Sequence, residues 1–503
     1  MTIDTTVQSG EAPAEGAMET RGIEPVPENE RHGHPMQLFW VWFAANISIL
    51  GLPLGATLVA VQKLTFWQCV IVALLGSVGS FAIVGVVSIS GRRGGAPGLT
   101  LSRAVFGVRG NAGPTLVSLL SRLGWETVNT TTAAFALLSL CAILFGTDTA
   151  AKDTPVLTIG CIAVFVVCTL IVSGLGHRVL VAVQRWATWI FGALNIVVAA
   201  SLVATVDWHA VGAASPAPVG AMIAGIGTIA AGTGIGWANA SADMSRYQAP
   251  AVRAGALVAS AAAGAGIPLV LLISLGSLLS AGDPTLAEAG DPVAAIRGML
   301  PAWAAVPYLI AAFGGLLLSN HLSVYSAGLT TLTLGLRVKR VYAVIVDVVV
   351  TTVGAIYFML VADSFYDPFI TFISLLAVPI TAWVGVFVID MLHRTDYDAA
   401  WLMDMGRASG YWYRGGVEPR ALAAWAVAII AGYQFTTAGT GDDVWFTGFF
   451  AESWPGRNGM GWLITFAVAA GLYALLGGAR RVAEQQRRSR SGGLGDRPQG
   501  GTA

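Results

Sequence analysis

Charge is what this chain has least of. Lys, Arg, Asp and Glu together make up 11% of its 503 residues, and hydrophobic residues reach 55%. A soluble domain carries about 25% charged residues. With so few ions, a soluble chain of this length could not cover its surface, and it would also divide into several domains. The mean hydropathy of +0.69 points to lipid as the solvent for the apolar surplus. The formal net charge is zero, which removes the electrostatic case for nucleic acid. Cysteine is scarce too. Cys69, Cys141, Cys161 and Cys168 lie in apolar stretches, form no CxxC pair and have no His at metal-ligand spacing, so they read as small hydrophobes. The first ~35 residues are polar and acidic and lack a basic region leading an apolar run, so no cleaved leader is expected. HExxH, GxSxG and an intramembrane Asp pair are all missing, which argues against a membrane-embedded enzyme. No repeated filter-like loop points to a channel. No cofactor, resident metal or obligate protein partner is expected.

What is present is a series of long apolar runs. A spanning helix takes roughly 20 apolar residues, which leaves room for about a dozen. Runs between charged or Gly/Pro-rich breaks fall at 36–62, 66–90, 114–146, 155–174, 178–206 and 218–243, then at 253–281, 302–335, 340–361, 366–392, 419–438 and 459–479. Alternate loops hold the basic residues: Arg92, Arg93, Arg103 and Arg109; Arg178 and Arg185; Arg246 and Arg253; Arg337, Lys339 and Arg340; Arg394, Arg407, Arg414 and Arg420. Both ends add more, from Arg21 and Arg31 to Arg480, Arg481 and Arg497. The opposite loops keep only Lys63, Lys152, Arg297 and Arg457 among several acids. The positive-inside rule therefore places both termini in the cytoplasm of a plasma-membrane protein. Residues 1–35 and 480–503 are expected to be disordered tails, and 393–418 a cytoplasmic loop.

Two spans carry glycine clusters, Gly51-Leu52-Pro53-Leu54-Gly55 in the first and Gly232-Thr233-Gly234-Ile235-Gly236 in the sixth. Gly costs about 1 kcal/mol in a helix interior and Pro about 3. Unwound backbone survives at membrane depth only where protein buries it or it lines a wet cavity. Paired interruptions at matching places in two five-helix units, 36–206 and 218–392, point to an inverted-repeat carrier with its site at the breaks. The other reading is that the glycines only let helices pack closely.

Polar residues at depth mark candidate sites. Trp125 and Asn129 are i,i+4 and share a face, a pairing suited to a planar heterocycle; alternatively the Trp faces lipid or core and the Asn bonds between helices. Trp237 and Asn239 follow the sixth-span cluster, and the eighth span gathers Ser319, Asn320, His321, Ser323, Tyr325 and Ser326. Asn46 on the first span joins the candidate substrate-binding set. Ionisable residues within spans are Arg122, Glu126, Asp243, His321, Asp347 and Asp390. The three Asp lie near span ends, where they are either interfacial or paired with loop arginines. Glu126 and His321 are deeper and can either titrate during transport or serve structure.

Several ordered stretches resemble the nucleobase:cation symporter-1 family, in its purine–cytosine permease branch. They are Gly22-Ile23-Glu24-Pro25-Val26-Pro27, Ser102-Arg103-Ala104-Val105-Phe106-Gly107-Val108-Arg109-Gly110, Arg122-Leu123-Gly124-Trp125, and Ala242-Asp243-Met244-Ser245-Arg246-Tyr247. Ser319-Asn320, Tyr325 to Leu329, Pro379, Gly385 to Asp390 and Tyr397 complete the set. The resemblance implies an all-α integral membrane protein with a LeuT-like five-plus-five inverted repeat, two extra C-terminal helices at 419–479, and cation-coupled uptake of a nucleobase. It also implies that Trp125 stacks on the ring with Asn129 or Arg122 as polar neighbours, and that Trp237 supplies a second aromatic. In this sequence Gly234 stands where that second aromatic is expected. The family's sodium site uses first-helix carbonyls and adjacent eighth-helix hydroxyls. Ser319 supplies one hydroxyl, but Leu318 occupies the neighbouring position, which weakens a Na⁺ site because hard cations want oxygen. Proton coupling through Glu126 or His321 is therefore preferred over sodium. The alternative cargo on the same fold is allantoin, hydantoin, pyridoxine or a thiamine-like ring.

Overall fold

The structure, a computed structural model, describes residues 22–174, 177–204, 206–282, 292–336, 340–362, 366–440 and 443–492. Among these, nine helices are long and apolar enough to cross a membrane, two bent helix pairs add to them, and Pro419–Tyr433 is a shorter apolar helix. They fall on the twelve apolar runs. Large side chains such as Trp67, Leu271 and Val353 point outward from the bundle, as lipid-facing residues do.

The first span is broken: Pro35–Asn46 and Gly51–Ala60 meet at 62°. The gap is Ile47 to Leu50, four residues earlier in the chain than the glycine cluster suggested. Side chains satisfy the backbone around it. Asn46 Nδ2 donates to the Trp42 carbonyl at 2.8 Å, Ser48 Oγ accepts from the Leu50 N–H at 3.3 Å, and Asn195 of the fifth span donates to the Ile47 carbonyl at 3.4 Å. Such side-chain bonds compete with the helical ladder. Pro53 sits in the first turn of the second half, where its missing N–H costs little.

Gly51 and Gly55 therefore lie in helix, a correction to their reading as the break. Packing requires them. A Cβ on Gly55 would stand 2.0 Å from the Ile273 carbonyl of the seventh span, and one on Gly51 would stand 2.7 Å from Leu272 Cβ. Gly276 answers from the other side, with Leu52 O at 2.0 Å from its Cβ position.

The sixth span is not unwound either. Its π turn Ala231–Ile235 and 3₁₀ turn Ala238–Ala240 keep it helical from Val219 to Ser245. Gly232, Gly234 and Gly236 thus change helical pitch rather than open the backbone. Gly234 is needed because Ser80 of the second span sits against it: a Cβ would fall 2.6 Å from the Ser80 carbonyl carbon, and Ser80 Oγ accepts the Gly234 N–H at 3.2 Å.

The arginine-rich loops converge on one face. Arg31 donates to the Arg92 carbonyl, Arg93 to the Met391 and Arg394 carbonyls, and Arg103 to the Thr333 and Leu402 carbonyls. Gly107, at φ +87°, allows the Arg103–Gly110 stretch to meet Gly416, whose carbonyl lies 2.5 Å from where a Cβ would be. On the same face Asp390 binds Arg394 at 2.6 Å and accepts from Tyr473 at 2.7 Å, while Arg481 reaches Glu418 at 2.7 Å. Burial pushes the Tyr411 phenol there up to about 12, so it stays neutral.

The described parts of both tails are ordered, which corrects the expected disorder. Residues 22–34 pair with the arginine-rich face through Gly33 and Val26, and Gly478–Gly492 is a basic helix bent 54° from the twelfth span. The outer parts of both tails, and Arg337 with Lys339, lie outside the described residues. One small departure from an all-helical chain is a hairpin, Thr437–Thr440 with Asp443–Thr447, after the eleventh span. All four cysteines are free.

Gly276→Ala should lower the Tm of detergent-purified protein by several degrees, because overpacking costs about 1–3 kcal/mol. Gly160→Ala, whose Cβ meets nothing within 4 Å, should leave it unchanged or slightly raised. A thermal-shift measurement showing equal behaviour would remove the packing account of these glycines.

Candidate functional site

The gap in the first span faces the π turn of the sixth across a cavity. Its walls are residues of the 45–54 segment other than Ile47 and Leu52 on one side, Gly232, Thr233 and Trp237 on another, and Trp125, Thr132, Leu269 and Ser319 around the rest. Six sequence-predicted residues therefore line one space: Asn46, Gly51, Trp125, Gly232, Trp237 and Ser319. A smaller recess behind Trp125 is bounded by Gly236 and Phe372. Span packing sets these positions. Gly315, one turn before Ser319, brings the eighth span within 3.1 Å of Ser48 Cα, counted from where its Cβ would be.

Trp237 is 9% exposed and held on two sides. Trp42 meets it edge-on at 5.5 Å, and the Arg122 guanidinium lies 4.4 Å over its ring. Arg122, fully buried, also donates to the Gly236 carbonyl. It supports the aromatic from behind and does not itself line the cavity.

The structure separates Asn129 from Trp125. Asn129 Nδ2 points to Asn320 Oδ1 at 3.5 Å, and Asn320 Nδ2 donates to Thr169 Oγ1 at 3.2 Å. These two candidate substrate amides thus join the third, eighth and fourth spans, the interhelical alternative named for Asn129. Asn239 is buried in the 3₁₀ turn outside the cavity, and His321 Nδ1 lies 3.2 Å from Ser173 Oγ of the fourth span. Leu318 is buried beside Ser319 and brings no oxygen.

Sequence reasoning missed Ser48 and Thr132, and named Thr233 only as part of the sixth-span glycine cluster. Thr132 lies two turns beyond Trp125 on the same face, so helical spacing could have found it, and its Oγ1 has no hydrogen-bond partner at the cavity. Thr233 Oγ1 donates to the Ile229 carbonyl at 2.6 Å within the π turn.

The ionisable residues split three ways. Asp390 takes the paired alternative, with Arg394. Asp243, 2% exposed, accepts from the Gly98 N–H at 2.8 Å and Ser326 Oγ at 2.6 Å, near Arg246 and Arg122. Asp347 is 3% exposed and faces Glu126, which corrects its reading as interfacial or paired with a loop arginine. An intramembrane carboxyl pair therefore exists, assembled from the third and ninth spans.

Comparison with known proteins decides the family. The profile described as "Permease for cytosine/purines, uracil, thiamine, allantoin" matches residues 25–472. This chain belongs to that family. A putative purine-cytosine permease of Bacillus subtilis, YxlA, is 25% identical over 91% of this chain and 96% of its own length. The purine-cytosine permease FCY2 of Saccharomyces cerevisiae is 26% identical over 53% of this chain and 49% of its own. Among solved structures, Mhp1, a nucleobase-cation-symport-1 family transporter in a closed conformation with bromovinylhydantoin bound, superposes with a TM-score of 0.69. The identity there is 19%, over 93% of this chain and 96% of the other. Inward-facing Mhp1 gives 0.66, at 18% identity over 93% and 99% of the two chains. The likeness shows the LeuT-like fold, so the permease has the expected architecture, with the cavity between its broken first span and its sixth.

In this permease Asp243 ties the end of the sixth span to the loop after the second and to the eighth. Asp243→Ala orphans the Gly98 N–H and the Ser326 hydroxyl, each at about 1–3 kcal/mol. Asp243→Asn keeps an acceptor. Purified Asp243→Ala should melt well below Asp243→Asn; equal Tm values would exclude the hydrogen-bond account.

Proposed function

We propose that this permease is a secondary active importer that carries a nucleobase, cytosine or a purine, into the cell by cation symport and alternating access. The observation that carries this reading is the placement of Trp125 and Trp237 on one cavity beside the gap of the first span. Two indoles offer flat apolar faces to a planar ring. Thr132, Asn46 and Ser48 offer side-chain polar atoms, and the gap offers backbone groups that no helix consumes. Uniform stacking on any planar ring gives affinity, and the few polar groups give orientation. The family's description covers both cytosine and purines, and the Bacillus and yeast relatives bear the name purine-cytosine permease.

The repeat units are taken as 36–206 and 218–392, with 419–479 as two added helices. The arginine-rich face is the cytoplasmic one, with both termini on that side of the plasma membrane. The coupling ion is the proton. Ser319 is the single hydroxyl at the family's sodium position, and Leu318 leaves a carbon where an oxygen ligand is wanted. A second cargo reading has a specific basis, since the family's description also covers thiamine and allantoin and the Mhp1 structure held a hydantoin.

Base–aromatic stacking is worth about 1–3 kcal/mol, roughly 5- to 150-fold in affinity. Trp125→Ala and Trp237→Ala should each weaken binding of labelled cytosine or adenine within that range, while lipid-facing Trp67→Ala should not. Unlabelled adenine and cytosine should compete; exclusive competition by allantoin, hydantoin, pyridoxine or thiamine transfers the assignment to that cargo. Uptake into proteoliposomes at a fixed pH gradient should persist when choline replaces sodium. Its collapse would establish sodium coupling instead.

A further inference from the structure

We propose that Glu126 and Asp347 form one proton-binding site shared between the third and ninth spans, and that Arg122 transmits its charge state to the substrate cavity. The inference rests on the reading of this chain as a cation-coupled permease and names the group that carries the coupling ion.

Burial is the first observation. Glu126 is 0% and Asp347 3% exposed, on helices that pack closely enough for a Cβ on Gly354 to meet Thr127 Cγ2 at 2.9 Å. The two carboxyl groups face each other, with Ser323 of the eighth span beside Glu126. Apart from the fully buried Ser323 hydroxyl beside Glu126, no described N–H or O–H donor reaches their four oxygens, and those of Asp347 have none. Buried carboxylates without donors are expensive. A proton placed on one carboxyl supplies the missing donor, because its O–H can be accepted by the other.

Charge is the second. Arg122 is the cation that both carboxyl groups feel. With both ionised, the buried set of Arg122, Glu126 and Asp347 carries a net charge of minus one; one proton brings it to zero. A buried uncompensated charge is costly, so neutrality favours a single bound proton. The neighbouring guanidinium opposes a metal cation at the same place. Other charged or polar groups around this site are already committed. Asp243 on the sixth span, which also faces Arg122, accepts from Gly98 and Ser326 and has Arg246 to balance its charge. His321 on the eighth faces Ser173 of the fourth. The tenth span presents Phe372 against Gly124 of the third.

Arg122 makes the link to cargo. It donates to the Gly236 carbonyl and covers Trp237, while its Nε and one terminal nitrogen have no hydrogen-bond partner. When the pair loses its proton, the second carboxylate pulls the guanidinium toward the third and ninth spans. When the pair gains the proton, that pull ends and Arg122 stays on Gly236 and Trp237. The proton comes from the medium on the loading side and returns to the medium on the opposite side, with no covalent change elsewhere. Proton and nucleobase thus favour the same arrangement of the sixth span.

The test begins without substrate. Infrared difference spectra of the purified full-length protein between acid and alkaline pH should contain the carbonyl stretch of a buried protonated carboxyl. Asp347→Asn and Glu126→Gln should each remove it, since the remaining carboxylate then pairs with Arg122. A band unchanged in both variants, or one displaced by sodium chloride at fixed pH, overturns the proposal. In proteoliposomes, both variants should retain counterflow of labelled cytosine yet lose pH-driven accumulation at least tenfold. Full accumulation in both would also overturn it. Wild-type protein that shows the band but moves no cytosine, adenine or other nucleobase contradicts the transport reading and leaves the proton site standing.

Discussion

Inside a bilayer no water is available to satisfy a backbone that leaves its helix, and the first span of this chain leaves it at Ile47–Leu50. Everything at the site follows from how those groups are accommodated. Asn46, Ser48 and Asn195 take part of the load through side-chain hydrogen bonds, and the cavity takes the remainder. A continuous helix here would fill the space between the third, sixth and eighth spans with its own side chains. The gap is therefore what creates room for a solute and what furnishes that room with polar backbone.

Glycine has a separate task. Gly51, Gly55 and Gly276 bring the second half of the broken span against the seventh span at backbone distance, and Gly234 does the same for the sixth against Ser80. Close approach fixes the angle at which the helix resumes after the gap. Without it the 62° bend between the two halves of the span would lack this support.

These two tasks explain what the sequence made legible. Span number and the sidedness of the arginines were readable because hydropathy and loop charge act locally along the chain. Trp125 and Trp237, which share a cavity wall, were readable because each stands beside a polar or glycine-rich signal on its own span. The break was read four residues late because glycine tolerates both unwinding and tight packing, and only the neighbouring helix decides between them. Asn129 and Asn320 looked like ligand contacts, since nothing local reveals that two amides on distant spans meet each other. The Glu126–Asp347 pair was invisible for the same reason: it belongs to tertiary packing, and the sequence showed only separate acids.

The sixth span is where these elements meet. Its π turn walls the cavity, its Gly236 carbonyl and Trp237 ring are held by Arg122, and Asp243 near its end is tied to Gly98 and Ser326. On the proposed reading, three separate influences, cargo on the indole, charge on the carboxyl pair and the ties of Asp243 to its neighbouring spans, therefore act on one helical segment. A π turn followed by a 3₁₀ turn is suited to this, because each departs from the regular ladder and can change pitch with fewer bonds to break than a regular helix. A ligand shifts a conformational equilibrium only through its differential affinity for the two states. With all three influences bearing on the same few residues, binding of one is able to change the affinity for another without any long relay through the bundle.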